Sequence, residues 1–177
     1  MSVKGKKFII DAGHGGKYDG AVSGSRKEKV INLNMAKILQ SKLQAKGATV
    51  YMTRTTDKDF GGSNADNDIN KRVAYINSNF PTVNGLISIH CNSNMLSKVG
   101  PFYQTGKTTS KKFSAAIAKR YGTVEHEGNF AIIRDTNRTS ATTLIELAPI
   151  SQGWLDKEAS LKSTADFIIQ GLEDYFA

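Results

Sequence analysis

Apolar positions along the chain alternate between two spacings. Phe8-Ile9-Ile10 is apolar at every position, which predicts a short buried strand over Phe8 to Asp11. From Val30 to Ala45 the apolar residues recur every three or four positions, which predicts a helix with Gly47 as its stop. Ala48 to Thr53 reads as a second strand. Asp66 to Asn79 reads as a helix carrying Ile69, Val73, Ile76 and Phe80 on one face, ended by Pro81. Leu86 to His90 is a third strand, and Pro101 to Thr105 is an edge strand, where proline is tolerated. Ser110 to Tyr121 has helical spacing at Phe113, Ile117 and Tyr121. Phe130 to Arg134 reads as a short strand, Thr142 to Ala148 as a strong one, and Leu155 to Phe176 as the last helix, with Leu161, Ala165, Ile168 and Leu172 inward.

Strands that alternate with helices predict an α/β fold, a three-layer sandwich whose largely parallel central sheet is flanked by helices. Leu86-Ile87-Ser88-Ile89 fits a strand covered on both faces. The polar stretch from Asp57 to Asn70, with Gly61-Gly62, is expected to be an exposed, mobile loop. There is no internal repeat, low-complexity tract or proline-rich linker, so residues 1–177 are expected to form a single domain.

Composition narrows the chemistry. Hydrophobic residues make up 39% of the 177, enough for one core. No stretch approaches the roughly 18 consecutive apolar residues of a membrane helix. The apolar run after Lys7 stops at Asp11, too short for a signal peptide, so either the protein is made in the cytoplasm without a secretion signal or this sequence has lost one. The lone cysteine, Cys91, excludes an internal disulfide framework and a cysteine-based zinc cage. A metal site must therefore draw on acids and on three histidines, His14, His90 and His126. The formal net charge of +8 favours a polyanionic partner, or serves solubility alone.

Four groups sit where a purely structural residue would be awkward. His14 follows the first strand in a glycine-rich turn, and His90 ends the third. If those strands are parallel, both emerge at the carboxyl edge of the sheet, where open α/β sheets bind ligands. Glu28 precedes Ile31, Met35 and Leu39 at helical spacing, so it shares the core-facing side, costly for a carboxylate without a partner or a metal. Glu146 lies in the apolar run Leu144-Ile145-Glu146-Leu147, sharing a face with Leu144 and Ala148. Apolar neighbours would raise its pKa, which suits a proton shuttle. Two histidines and a carboxylate form a recurrent catalytic zinc set. Taken singly, the histidines have a plainer reading as hydrogen-bonded strand-end residues and Glu28 as a first-turn helix charge; Glu146 is harder to explain away, since unpaired acids in apolar strands are rare. His126, among charges, reads as a solvated loop residue, and Cys91 as a small residue beside the site.

At these residues the sequence resembles the zinc-dependent N-acetylmuramoyl-L-alanine amidases of the amidase_3 type. The opening D-x-G-H-G-G turn appears as Asp11-Ala12-Gly13-His14-Gly15-Gly16, and the following helix start as Glu28-Lys29-Val30-Ile31-Asn32-Leu33. Thr53-Arg54 with Asp57, then Arg72, match the next two positions. Ser88-Ile89-His90-Cys91-Asn92, Asn129-Phe130-Ala131-Ile132-Ile133-Arg134 and Leu144-Ile145-Glu146-Leu147 complete the series. The resemblance implies that His14, Glu28 and His90 bind one Zn2+ and that Glu146 is catalytic. It also implies that Arg134 lies near the site, contacting substrate or the developing oxyanion, with Asn92 and Asn129 as substrate-side residues. Two segments depart from the family: Leu147-Ala148-Pro149-Ile150-Ser151-Gln152 after the glutamate, and Val124-Glu125-His126-Glu127 before Asn129.

The function implied is hydrolysis of the amide between N-acetylmuramic acid and L-alanine in peptidoglycan, by a monomer without a separate wall-binding module. Anionic wall polymer is a further expected partner, and neither a membrane nor a specific nucleic acid is. The setting would be a phage endolysin or an autolysin freed by lysis. Two rivals stay open: a zinc peptidase or deacylase on another amide, and a non-catalytic wall-binding relative, which would not need Glu146.

Overall fold

The computed structural model describes residues 2–93 and 98–177. In chain order the elements are β1 (Lys7–Ala12), β2 (Val22–Ser23), β3 (Arg26–Lys27), α1 (Glu28–Ala45), β4 (Thr49–Met52), α2 (Ala65–Asn79) and β5 (Gly85–Asn92). There follow β6 (Gly100–Gln104), α3 (Thr108–Tyr121), β7 (His126–Gly128), α4 (Ala131–Arg134), β8 (Thr142–Pro149), a 3-10 turn (Gly153–Asp156) and α5 (Glu158–Tyr175). Six strands form one sheet in the order β4-β1-β5-β8-β6-β7, and β2 pairs with β3 as a separate hairpin. The pairs β4-β1, β1-β5 and β5-β8 are parallel; β6 runs antiparallel to β8, and β7 parallel to β6. Among the described residues no helix is long and apolar enough to cross a membrane.

Strand alternation sorts the core into two layers. Phe8, Ile10, Ala12, Ile87, Ile89, Ile145 and Leu147 point to one face, where α1, α3 and α5 cover them with Met35, Leu39, Phe113, Ile117, Ile168 and Leu172. Ile9, Leu86 and Leu144 point to the other, covered by Val73 and Ile76 of α2 and Ile132 and Ile133 of α4. This is the three-layer arrangement anticipated from the alternating pattern. The same alternation continues to the carboxyl ends of the central strands. There the α2 face carries polar groups: Asp11 pairs in register with Ser88, and His90 with Glu146.

Past Glu146 the register shifts. His90 pairs with Glu146 but Asn92 with Pro149, so Leu147 and Ala148 together oppose Cys91. This is a bulge, one extra residue in β8. Leu147 and Ala148 consequently both pack into the α1-side cluster, and Ala148 does not share the face of Leu144 and Glu146. The Tyr121 hydroxyl donates to the Leu147 carbonyl inside the bulge (2.6 Å).

Several elements differ from the pattern-based reading. Residues 130–134 are not a strand: Phe130 is extended, and its carbonyl accepts from the Ile133 and Arg134 amides to start the single turn of α4. Ile132 and Ile133 are adjacent and both buried against one layer, which a turn of helix permits and strand alternation does not. The edge position beside β6 goes instead to β7. The last helix is interrupted, because Lys157 is extended between the 3-10 turn and α5. The polar loop ends at Asn64, which caps α2 by accepting from the Asn67 amide (2.9 Å). Asp68 is therefore helical and buried, accepting from the Phe60 and Gly62 amides. The hairpin β2-β3 carries no apolar pattern and was not anticipated.

Candidate metal centre

The carboxyl edge of β1 and β5, the turn after β1 and the first residue of α1 converge on one point. His14, Glu28 and His90 each offer one ligand atom, a ring nitrogen or a carboxylate oxygen, and these atoms all lie within 4.8 Å of one another. Glu28 stands between the rings, with Oε2 3.2 Å from His14 Nε2 and Oε1 3.1 Å from His90 Nδ1. The imidazoles meet edge to face with centroids 5.1 Å apart.

Local structure explains the convergence. α1 begins at Glu28 itself, and its first amides bond to loop carbonyls, Glu28 N to Ala21 O and Lys29 N to Asp19 O. The Glu28 side chain is 3% exposed and accepts from the Ala21 amide (2.7 Å), the Cys91 amide (3.0 Å) and the Asn32 carboxamide (3.3 Å). Its ion-pair partners among the described residues are the two histidines. Burial pushes this carboxyl up, but hydrogen bonds from His14 and His90 outweigh it and hold the group well below the usual carboxylate range. Burial lowers His90, and the Glu28 carboxylate more than reverses that, so its pKa is raised. Gly13 lies against the His90 ring so closely that any Cβ there would collide with it. Gly15, at φ +138°, likewise leaves no room for a Cβ against the Lys58 carbonyl.

Glu146 faces the cluster from β8, directly across from His90. Its Oε2 is buried and has no hydrogen-bond partner among the described residues. Burial pushes the carboxyl up, helped by the Glu28 charge and opposed by His90, to about 7. A carboxyl poised there can exchange a proton near neutral pH.

Two clefts meet at the cluster. One, of about 530 Å3, is lined by His14, Glu28, His90, Asn92, Phe102 and Glu146 among others. Asn92 is buried in its wall, donating to the Lys98 carbonyl (2.8 Å). The other, of about 400 Å3, runs from His14 and His90 past Ile69, Phe130 and Leu144 to Asn129 and Arg134. The Arg134 guanidinium is exposed, paired with Asp135 (2.7 Å) and donating to Asn129 Oδ1 (3.0 Å). Arg134 and Asn129 thus form one unit on the cleft rim.

The other two flagged residues fall outside the cluster. His126 is not a loop residue but half-buried in β7, with Nε2 3.0 Å from the Val99 carbonyl and its ring against Phe102. Cys91 is buried, and burial pushes its thiol far up, helped by the Glu28 and Glu146 charges, so it stays protonated. Sequence reasoning missed Asp11, Lys29 and Asn32 as supports of the centre. Asp11, a lone acid closing an apolar strand, carried the same signal that marked Glu146.

A family model described as N-acetylmuramoyl-L-alanine amidase matches residues 8–174. The probable cell wall amidase LytH of Staphylococcus saprophyticus is 29% identical over 193 aligned residues, covering 99% of this chain and 60% of that protein. The chain thus spans about three fifths of that relative's length. The CwlD amidase of Clostridioides difficile, solved in complex with the GerS lipoprotein, superposes with a TM-score of 0.85 at 25% identity, covering 97% of this chain and 98% of that one. The catalytic domain of the amidase CwlV from Bacillus (Paenibacillus) polymyxa var. colistinus gives a TM-score of 0.78 at 30% identity, with 97% and 98% coverage.

Proposed function

This chain belongs to the N-acetylmuramoyl-L-alanine amidase family, and from that premise we propose that it is a zinc-dependent hydrolase of the amide between N-acetylmuramic acid and L-alanine in peptidoglycan. The observation that carries the reading is the juxtaposition of ligand atoms of His14, Glu28 and His90 within 4.8 Å, opposite Glu146, whose buried Oε2 has no hydrogen-bond partner among the described residues.

The donor set fits zinc. Two imidazole nitrogens and one carboxylate oxygen are a recurrent catalytic combination that leaves a coordination position free. A buried carboxylate whose ionic partners among the described residues are two histidines also gains from a cation. When bound, zinc supplies Lewis acidity, polarising the scissile carbonyl and acidifying water. The remaining work falls to the chain. His14, Glu28 and His90 hold the ion. Glu146 takes a proton from the attacking water as its oxygen bonds to the lactyl carbonyl carbon. It then gives that proton to the alanine nitrogen as the C–N bond breaks. A group pushed up to about 7 serves in both directions. Arg134 and Asn129 contact the substrate from the rim, and Asn92 shapes the opposite wall.

Residues 1–177 act as one catalytic unit on the cell wall, as a monomer, with the +8 charge favouring walls rich in anionic polymer. The CwlD–GerS complex is a precedent for a protein partner on this fold. The test is digestion of purified walls, with metal content measured in parallel. The expected result is new L-alanine amino termini without new reducing sugars, abolished by a chelator and restored by Zn2+. Walls lysed equally fast by chelated protein would sink the metal reading, and release from small peptides alone would favour a peptidase.

A further inference from the structure

His14 is the one non-glycine residue with positive φ among those described, at +60°. L side chains rarely adopt this conformation, and it persists only where the surroundings over-determine it. Here the surroundings are two buried arginines from elsewhere in the chain. Arg54 Nε donates to the Ala12 carbonyl (2.9 Å) and its Nη2 to the Gly13 carbonyl (3.1 Å). Arg72 Nη1 donates to the Ala12 carbonyl (2.6 Å) and its Nη2 to the His14 carbonyl (2.7 Å). Three successive carbonyls, including that of the strained residue, are therefore held by two planar forks. Asn32 adds a bond to the Gly13 carbonyl (3.0 Å) while touching Glu28, tying two arms of the cluster together.

The forks are anchored in turn. Arg72 pairs with Asp11 (2.9 Å), which also accepts from Thr53 and Ser88 (2.7 Å each). Arg54 reaches the Lys29 carbonyl in the first turn of α1 (2.8 Å). Outside, the loop after β4 laces the same turn: Asp57 accepts from the Gly16 amide (2.7 Å) and from Lys29 Nζ (3.0 Å), and Tyr18 donates to the Gly62 carbonyl (2.8 Å). Both arginines are nearly inaccessible, at 2% and 3% exposure. Burying two like charges side by side is an inefficient way to gain stability, since apolar residues of similar size serve that end as well or better. What the forks supply that apolar residues lack is direction.

We propose that Arg54 and Arg72 are positioning residues that lock the strained turn after β1, with Asp57 as an outer stay, so that the His14 imidazole is presented to Glu28 and His90 before an ion arrives. This rests on the metal reading given above. Arg72→Lys keeps a charge for Asp11 but cannot span Asp11, Ala12 and His14. Asp57→Ala loosens the same turn from the surface without disturbing the core.

The measurement is Zn2+ affinity of stripped protein by chelator competition, at a temperature where circular dichroism shows each variant folded, with the Co2+ absorption spectrum as a second readout. Arg72→Lys is expected to weaken Zn2+ binding by roughly 10–100-fold and to alter the Co2+ bands, as loss of an outer-shell support does. Asp57→Ala is expected to give a smaller, few-fold loss. A folded Arg72→Lys protein with wild-type affinity and spectrum overturns the inference, and the arginines are then only structural. If Arg72→Lys does not fold, Asp57→Ala decides in the same way. Wild-type protein that takes up no Zn2+ sinks the metal reading itself, a result distinct from either.

Discussion

The cleft running from His14 to Arg134 has two ends built on opposite principles. At the His14 end the supporting polar groups are buried and cross-linked: Asp11 takes three donors, and the carbonyls after β1 take two arginine forks. At the Arg134 end the guanidinium is exposed and bonded to its neighbour Asp135 and to Asn129. The first end is braced against displacement, as the proposed shared metal ion requires. The second, an exposed ion pair, gives way at little cost, as the proposed contact with a polymeric substrate allows. Rigidity and burial fall together, since a buried charge without partners is far more costly than a solvated one.

The contrast can be broken by substitution at each end. The largest effect is expected from Glu28→Gln, which removes the anionic donor and leaves a buried amide between two imidazoles. Zn2+ affinity should fall by more than the roughly 10–100-fold typical of outer-shell changes, and wall hydrolysis with it. Retained Zn2+ binding, measured on dialysed protein, would move the metal elsewhere.

Glu146→Gln comes next. Loss of a general acid–base is expected to lower kcat by roughly 10²–10⁴ while Zn2+ content stays unchanged. Stability should move the other way. The carboxyl is pushed from its ordinary 4.5 to about 7, so the folded state holds this proton more tightly than the unfolded chain. Its contribution is neutral below about pH 4 and increasingly unfavourable as pH rises to about 7, where the cost levels off. Chelated Glu146→Gln protein should therefore be more stable than wild type at pH 8, on the order of 2–3 kcal/mol, with no difference at pH 4. Urea unfolding at the two pH values reads the sign, and equal stability at pH 8 would mean that Glu146 is solvated.

Arg134→Ala should have the smallest effect. Exposed ion pairs contribute roughly 0–1 kcal/mol, so its Tm should barely change. The expected signature is a several-fold rise in KM for wall fragments with kcat preserved. A collapse of kcat instead would place Arg134 at the reacting carbonyl rather than on the rim.

Much of the fold was legible because the central strands and long helices obey simple periodicities, and the apolar runs at 8–10, 86–89 and 144–147 became the middle of the sheet. Glu28 and Glu146 were visible as acids on apolar faces, and His14 and His90 as histidines where apolar strands end, His14 in a glycine-rich turn. What escaped has a common physical cause. The arginine forks act on backbone carbonyls 41 to 60 positions away, and a carbonyl carries no side-chain signature. Residues 130–134 misled because two adjacent isoleucines fit a covered strand as readily as a single helical turn. His126 misled because its charged neighbours in sequence are not its neighbours in space, where it meets Phe102 and Val99.

The supernumerary residue in β8 sets a rule for anyone recombining parts of this domain. It separates two phases of one strand: upstream the odd-even count aims Glu146 at the cleft, and downstream the count restarts to seat Leu147 and Ala148 beneath the helices. A graft that straightens the strand while keeping both residues rotates its downstream half, turning Ala148 and Ile150 from the α1 side to the α2 side. Crossover points for chimeras with related domains therefore belong ahead of Thr142 or beyond Ile150, with the interruption carried over whole.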